Sequence, residues 1–502
     1  MCAIASWVFL PDRERYRFST LGTHMKIHFI GIGGTAMGSV AIAAQEAGYT
    51  VTGSDTALYP PMSDVLRRAG VVMTEGFSEN TILNASPDLV VVGNAISRGN
   101  PELEYVLDHR MPMTSMAAFV GEHFISRHTS IVVTGTHGKT TTTSITAWLA
   151  ESVGRSPGFL IGGVPGNFSV GCRPVPDPYT NRDDGLFISE GDEYDTAFFD
   201  KRSKFVHYRP TVLILNNIEF DHADIFSDLQ AILTSFRHVV RLVPRNGSII
   251  ANADDDNIGR VLSEAHCRII SVGMAVDADV RITDVTTTET SSTWSLTWKD
   301  GTSIRYSIPM GGLHNVRNAS MAILAILQAI GDNQETRQKL ARGLVDFAPP
   351  KRRLERIGSW KGATVIDDFA HHPTAIATTV RTLKSDGHQL HCVFEPRSNT
   401  TTRAFFQREL AECFDGAASV CIGPVNRPER YAPEDRLDTD LLVRELQAKG
   451  IHATSIPSDR VSSAWGRDVA EWLTHYVREG DTIVILSNGA VGGTREVLTQ
   501  QT

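Results

Sequence analysis

Short apolar runs rich in β-branched residues alternate with stretches of helical periodicity along most of this chain. Three blocks stand out. In the first, strand signals cover 26–34, 49–55 and 87–95, with helix-like segments between them. The second opens at 130–154, a strand, a tight glycine-containing loop and an amphipathic helix, and continues through apolar strands at 186–195, 211–217 and 247–255. Its texture then changes. Residues 280–310 are rich in Thr, Val, Ile and Trp and alternate in places around a Lys299-Asp300-Gly301 turn, which predicts antiparallel hairpins beside the sheet. A helix over 315–331 closes the block. In the third, strands at 363–370, 390–396, 419–425 and 482–489 again alternate with helices. Alternating strands and helices imply parallel sheets covered by helices on both faces. Pro349-Pro350, followed by Lys351-Arg352-Arg353, reads as a linker because consecutive prolines stop a helix.

The chain has 502 residues, which sets a prior of about three domains. Hydrophobic residues make up 41% and charged residues 21%, which excludes a disordered or fibrous chain. The net charge of −9 argues against broad nucleic-acid or membrane-surface binding, since both need a basic footprint. No apolar run reaches the roughly 18 residues of a membrane span. Six scattered cysteines form no Cys-x-x-Cys pair, consistent with reduced core thiols and a cytoplasmic setting. Residues 1–24 lack the pattern of a secretory signal: Arg13, Glu14, Arg15 and Arg17 follow a short apolar part. They read as a loose extension, or as preceding a natural start at Met25.

The candidate chemistry lies at strand ends. Gly31-Ile32-Gly33-Gly34-Thr35-Ala36 fits Gly-x-Gly-x-x-[Gly/Ala] and follows a strand directly. Such a loop turns tightly and lets backbone approach a diphosphate at the next helix N-terminus. Asp55 closes the next strand, where an acid can hold a ribose hydroxyl. The motif does not separate a dinucleotide from a UDP-sugar, or a liganded loop from a plain turn. Gly93-Asn94-Ala95, at a third strand end, is a ligand contact or a simple turn.

A second loop, Thr134-Gly135-Thr136-His137-Gly138-Lys139-Thr140-Thr141, also lies between a strand and a helix. Its N–H groups would cradle the phosphates of ATP or GTP, Lys139 would neutralise them, and Thr140 would bind Mg²⁺. Val133 stands where a full P-loop has its first glycine. Two polar clusters follow strands, Glu190-Gly191-Asp192-Glu193 and Glu219-Phe220-Asp221-His222. Such acids and imidazoles at strand ends could hold Mg²⁺, or be solvated loop residues. Asn315 is a helix N-cap or, with His314, a ligand contact. Asp367-Asp368 and His371-His372-Pro373 are a proton or phosphate contact, or a helix start.

Taken in order, these motifs resemble the Mur ligases, ATP-dependent amide-forming enzymes of peptidoglycan synthesis, whose P-loop has this shortened form. The resemblance covers nearly all of 25–500. It implies an α/β fold of three domains: a Rossmann-like UDP-sugar-binding domain (25–123), a P-loop ATP-binding domain with added hairpins (124–349) and a Rossmann-like peptide-binding domain (350–502). It implies that Gly31, Gly33, Gly34, Thr35, Ala36, Asp55 and Asn94 bind the UDP-sugar. Gly135 through Thr141, with His314, Asn315 and Arg352, would bind ATP, the adenine lying against His314 and Asn315. Thr140 and Glu190 would hold one Mg²⁺ and His222 a second. Lys139, His222, Arg353 and Asp368 would carry catalysis, with the arginines reaching in from the third domain on closure near Pro349-Pro350. His371 would touch phosphate or substrate.

Within the family, 93–108, 157–168, 193–208, 216–226, 367–375, 395–400 and 486–493 resemble the branch that joins UDP-N-acetylmuramate to L-alanyl-γ-D-glutamyl-meso-diaminopimelate in wall recycling. The alternative is the branch that adds L-alanine. Several Mur ligases carry a carbamylated lysine soon after the metal-binding histidine, yet no lysine lies between His222 and Arg237. That departure disfavours the D-glutamate and UDP-muramoyl-dipeptide ligases. A monomer or weak homodimer is expected. A nicotinamide oxidoreductase would leave Gly138-Lys139-Thr140 idle, and a P-loop switch or transport ATPase would leave the first glycine loop idle.

Overall fold

The computed structural model describes residues 25–59, 62–176, 185–384, 387–457 and 465–500. The extension 1–24 and Cys2 lie outside them. Three sheets follow one another along the chain. The first is fully parallel, in the order Val72–Glu75, Thr50–Asp55, Lys26–Ile30, Leu89–Val92, Met113–Ser115. Strand order reverses beside Lys26–Ile30, so the glycine loop 31–34 opens at a topological switch point, the ordinary place for a ligand in such a sheet.

The second sheet has ten strands. Its parallel centre holds Arg268–Gly273, Ser248–Asn252, Val212–Leu215, Thr129–Thr134, Leu186–Gly191 and Gly158–Leu160. The central strands are buried except at Thr129 and Asn252, as expected where helices cover both faces. The hairpins predicted over 280–310 are present as Val280–Thr287, Ser292–Trp298 and Ser303–Ile308. They do not stand beside the sheet but extend it, because Val280 and Arg281 pair in parallel with Val272 and Gly273. Gly301, at φ +84°, makes the expected turn. Helices Lys139–Ser152 and Leu313–Ile330 pack together on one face of this sheet. The second is apolar nearly all round and correspondingly buried.

The third sheet runs Glu355–Trp360, Ala363–Asp368, Thr482–Leu486, Leu390–Phe394, Ser419–Ile422, His452–Ser455. Only the first pair is antiparallel. Both edge strands lacked a clear sequence signal. Edges bury little, so their polar residues break the apolar pattern.

The segment after helix Gln334–Val345 is fastened rather than free. Ala348 N–H donates to Asn167 Oδ1 at 2.7 Å, Asn167 Nδ2 donates to the Asp346 carbonyl at 3.1 Å, and Lys351 N–H donates to the Val164 carbonyl at 2.9 Å. A Cβ on Gly166 would run into the Ala348 and Pro349 carbonyls. Cys172, Cys392, Cys413 and Cys421 are buried thiols, Cys267 is partly so, and all five are free. Among the described residues no helix is long and apolar enough to cross a membrane.

Candidate active site

The three sheets direct their strand ends toward two cavities of about 720 Å³ each. One is lined by Gly31, Gly33, Gly34, Thr35, Ala36, Asp55 and Asn94. Gly33 N–H donates to Asp55 Oδ2 at 2.7 Å, and a Cβ on Gly33 would lie 2.9 Å from that oxygen. Asp55 therefore braces the glycine loop, and glycine is required for its close approach.

The other cavity is lined by Thr136, His137, Gly138, Lys139, Thr140, Thr141, Glu190, His222, His314, Asn315, Arg352, Arg353, Asp368 and His371. Gly135 is not on its wall. It lies behind, with its carbonyl accepting from Lys139 Nζ at 2.7 Å. Thr35, Ala36, Met116 and Lys204 line both cavities, so the two are contiguous.

The P-loop is built by packing as much as by sequence. Gly138 has φ +81°, and a Cβ there would come 2.7 Å from Asn318 Oδ1. A chain of buried amides runs behind it: Asn216 Nδ2 donates to Asn318 Oδ1 (3.0 Å) and to Thr142 Oγ1 (2.9 Å), and Asn318 Nδ2 donates to Asn315 Oδ1 (3.3 Å). Asn315 is buried within the helix, whose N-cap is Gly312, and its Nδ2 donates to the Gly311 carbonyl. The N-cap reading of Asn315 is thus corrected: the amide locks the turn and the amide chain. His314 is half-buried, its Nδ1 inaccessible and unpartnered among the described residues. Burial, then the charges of Arg353, Arg317 and Arg381, push its pKa down to about 4, so the ring is neutral.

Lys139 Nζ also donates to Glu193 Oε2 at 2.8 Å, and Glu193 Oε1 lies 3.2 Å from His222 Nε2. Burial works against the charge on all three groups. The mutual pairing prevails, holding Lys139 and His222 above their ordinary values and Glu193 below its own. His222 sits in the left-handed region at φ +53°, its N–H donating to Asp221 Oδ1.

Glu190 accepts from Thr140 Oγ1 and from Gly162 N–H, each at 2.8 Å. Burial first, and then the Asp192 charge, raise its pKa. A half-buried carboxylate beside a second acid and a hydroxyl, offering oxygen atoms only, is the donor set a hard divalent cation favours. Thr140 and Glu190 thus fit Mg²⁺, whereas His222 is engaged with Glu193.

From the third sheet come Arg352, Arg353, Asp368 and His371. Adjacent in sequence, the two arginines differ sharply. Arg352 Nε donates to Asp367 Oδ2 at 3.1 Å and its Nη2 to the Ser487 and Gly489 carbonyls. Arg353 stacks on the Phe369 ring at 5.1 Å and makes no hydrogen bond or ion pair among the described residues. Asp368 is buried and accepts from Leu354 N–H (2.8 Å), Ala370 N–H (2.9 Å) and Thr379 Oγ1 (3.3 Å). It fixes the backbone that carries Arg353. His371 Nδ1 donates to the Phe369 carbonyl at 2.9 Å, which turns Nε2 outward. His372 caps helix Pro373–Leu383, in line with the helix-start reading.

Loop 219–224 docks on this third unit. Thr374 Oγ1 donates to Glu219 Oε2 (2.6 Å), Thr400 Oγ1 to Asp221 Oδ1 (2.7 Å), and Asn399 Nδ2 to Asp224 Oδ2 (2.8 Å). Sequence reasoning on single residues missed Lys204. It is buried, 3.1 Å from Asp192 Oδ2 and 4.1 Å over the Tyr194 ring. The available signal was a lysine beginning the run Lys204-Phe205-Val206-His207-Tyr208, whose aromatics are core residues.

A cradle for a nucleotide triphosphate, joined to a diphosphate-type loop and closed by arginines from a third sheet, belongs to an ATP-dependent ligase architecture. Family models agree along the chain: "Mur ligase family, catalytic domain" over residues 26–128, "Mur ligase middle domain" over 133–326 and "Mur ligase, glutamate ligase domain" over 352–489. The chain belongs to the Mur ligase family. It is 38% identical to the UDP-N-acetylmuramate–L-alanyl-γ-D-glutamyl-meso-2,6-diaminoheptandioate ligase of Escherichia coli, over 94% of this chain and 97% of that one. Against the UDP-N-acetylmuramate–L-alanine ligase of Clostridium perfringens the identity is 30%, over 93% and 96%. The solved murein peptide ligase of Psychrobacter arcticus superposes with a TM-score of 0.70 at 36% identity, covering 94% of this chain and 98% of that one.

Proposed function

We propose that this protein joins UDP-N-acetylmuramate to the tripeptide L-alanyl-γ-D-glutamyl-meso-diaminopimelate at the expense of ATP, in peptidoglycan recycling in the cytoplasm. The observation that carries this reading is the contiguity of the two cavities at Thr35, Ala36, Met116 and Lys204. A UDP-sugar seated on loop 31–36 would extend its lactyl carboxylate past Lys204 toward the P-loop. The higher identity to the tripeptide ligases than to the L-alanine ligases favours the tripeptide as second substrate.

In this reading Gly31, Gly33, Gly34, Thr35, Ala36 and Asn94 contact the UDP-sugar, with Asp55 holding the loop. Residues Thr136 to Thr141 cradle the phosphates of ATP, with Gly135 behind them, and His314 and Asn315 face the nucleoside. A Mg²⁺ on Thr140 and Glu190 would neutralise phosphate charge, and His222 would serve a second ion on release from Glu193. The lactyl carboxylate attacks the γ-phosphorus, and the bond to ADP breaks. The amine of the peptide's L-Ala then attacks the acyl carbon, loses a proton and expels phosphate. Carboxylate and amine do not condense in water, and phosphorylation supplies the leaving group. Lys139, Lys204 and Arg353 converge on the charge that builds in both steps, so the protein contributes mainly positioning and electrostatic stabilisation. Arg352 and Asp368 set the position of Arg353, and His371 Nε2 is available to phosphate or substrate. The segment around Pro349-Pro350 is the proposed hinge between units 124–349 and 350–502, with 25–123 as the sugar-binding unit.

The test is incubation with MgATP and UDP-N-acetylmuramate, adding the tripeptide, L-alanine or nothing, with phosphate release and product mass as readouts. A UDP-muramoyl-tripeptide formed only with the tripeptide is expected. Turnover with L-alanine alone would move the protein to the other branch. ATP hydrolysis equal in all three tubes, with no amide formed, would overturn the ligase reading.

A further inference from the structure

We propose that His137, Glu219 and His372 form a binding site for one divalent transition metal, of the zinc or cobalt class, that ties the P-loop to the third unit. The ligand atoms of these three side chains all lie within 4.8 Å of one another. They come from three separate places: the P-loop, the loop after strand Val212–Leu215, and the N-cap of helix Pro373–Leu383.

The geometry is that of a tetrahedral site. With metal–ligand bonds near 2.0–2.1 Å, neighbouring donors in a tetrahedron stand about 3.3 Å apart. His137 Nε2 and Glu219 Oε2 are 3.3 Å apart, and His372 Nδ1 and Glu219 Oε2 are 3.8 Å apart. The third edge, from His137 to His372, is no longer than 4.8 Å, so a metal would have to draw these two rings together by up to about 1.5 Å, and all three side chains line the cavity.

The surrounding hydrogen bonds already orient the donors as metal ligands are oriented. His372 Nε2 donates to the Phe220 carbonyl at 3.1 Å, which leaves the lone pair on Nδ1, the atom facing Glu219. That lone pair now accepts only a long bond from Thr374 N–H, at 3.3 Å. Thr374 Oγ1 holds the Glu219 carboxylate at 2.6 Å. Two imidazoles and one carboxylate suit zinc or cobalt and disfavour magnesium, which takes oxygen ligands. The site is thereby chemically distinct from the oxygen-only pair Thr140 and Glu190. Its ligands span two units, so the bound metal must lose a ligand before the third unit can swing away.

The inference stands on this geometry and not on the ligase reading, and its test needs no turnover. Untagged full-length protein, freed of metal by chelation, is titrated with Co²⁺ in excess Mg²⁺, with visible spectra and equilibrium dialysis as readouts. One equivalent is expected, with the intense d–d bands of tetrahedral cobalt. Binding should weaken about tenfold or more in Glu219→Gln and His137→Gln and persist in His222→Ala. His372→Asn removes the imidazole while keeping a helix cap, so lost binding in a folded variant (checked by circular dichroism) also supports the site. No cobalt bound above the magnesium background, an octahedral spectrum, undiminished binding in Glu219→Gln, or loss in His222→Ala instead would each overturn it.

Discussion

Replacing Glu193 by Gln removes one charge from a buried group of three coupled ions, Lys139, Glu193 and His222. Glu193 is 2% exposed and stands between Lys139 Nζ at 2.8 Å and His222 Nε2 at 3.2 Å. At an effective dielectric of about 20, an ion pair at this separation is worth about 6 kcal/mol before desolvation is subtracted. Breaking a buried pair from one side typically costs about 3–5 kcal/mol. Glutamine keeps a carbonyl oxygen that can still accept from Lys139, which places the expected loss near the lower end, about 3 kcal/mol. For a unit of about 200 residues this lowers the melting temperature by roughly 6–12 °C. The assay is thermal unfolding without nucleotide and again with a non-hydrolysable ATP analogue and Mg²⁺. Phosphates bound at Lys139 would replace the missing carboxylate, so the deficit should shrink in the second melt.

The pH profile gives an independent check. His222 has its folded pKa raised by Glu193. Its contribution is therefore full below the unfolded value of about 6.5 and is lost as pH rises through the folded value. Glu193 is depressed, so its contribution holds above the unfolded carboxylate value and is lost as pH falls through the folded one. Glu193→Gln should flatten both limbs. A variant as stable as the parent without nucleotide, with an unchanged pH profile, would refute the claim that Glu193 anchors the site.

Four further substitutions separate the roles of individual residues. Arg353→Ala should lower kcat about 10²–10³-fold with little change in melting temperature, because its guanidinium has no hydrogen bond to lose among the described residues. Arg352→Ala should instead cost about 2–3 kcal/mol of stability, measured by denaturant unfolding, since it strips partners from Asp367 and two carbonyls. Gly138→Ala forces a side chain into φ +81° and against Asn318, so about 3 kcal/mol of stability and most nucleotide affinity should be lost by melting and calorimetry. Asn167→Ala should raise hydrogen exchange over 346–351 and lower kcat several-fold while nucleotide affinity holds, because it frees the hinge without touching the P-loop.

The sheets and both loops were legible because their signals are local. A buried parallel strand reads as an apolar run, and a phosphate loop needs glycine where backbone turns sharply. Thr140, in the first turn of helix Lys139–Ser152, and Glu190, near the end of strand Leu186–Gly191, also sit beside such local signals, and the structure brings the two within 2.8 Å. What could not be read depends on backbone angles and on distant partners. Arg352 and Arg353 are identical in sequence terms. Both guanidinium groups lie 5.1 Å from the Phe369 ring, but positive φ at Arg352 and Leu354, with Asp368 accepting from the Leu354 and Ala370 N–H groups, gives Arg352 alone the hydrogen bond to Asp367. Lys204 was invisible as a site residue because its neighbours Phe205 and Tyr208 are core.

Loop 219–224 reads in sequence as one polar cluster, but its side chains divide between two sets of partners. Glu219, Asp221 and Asp224 accept hydrogen bonds from Thr374, Thr400 and Asn399 of the third unit, while His222 alone turns back to Glu193. The reversal is made by the left-handed φ of His222, with Asp221 holding its N–H. One short loop thus joins the charge centre around Lys139 to the unit that supplies Arg353. Any movement of the third unit must break these hydrogen bonds, and it must do so at the residue next to the one that pairs with Glu193. The third unit and the charge centre are therefore linked through two adjacent side chains, Asp221 and His222.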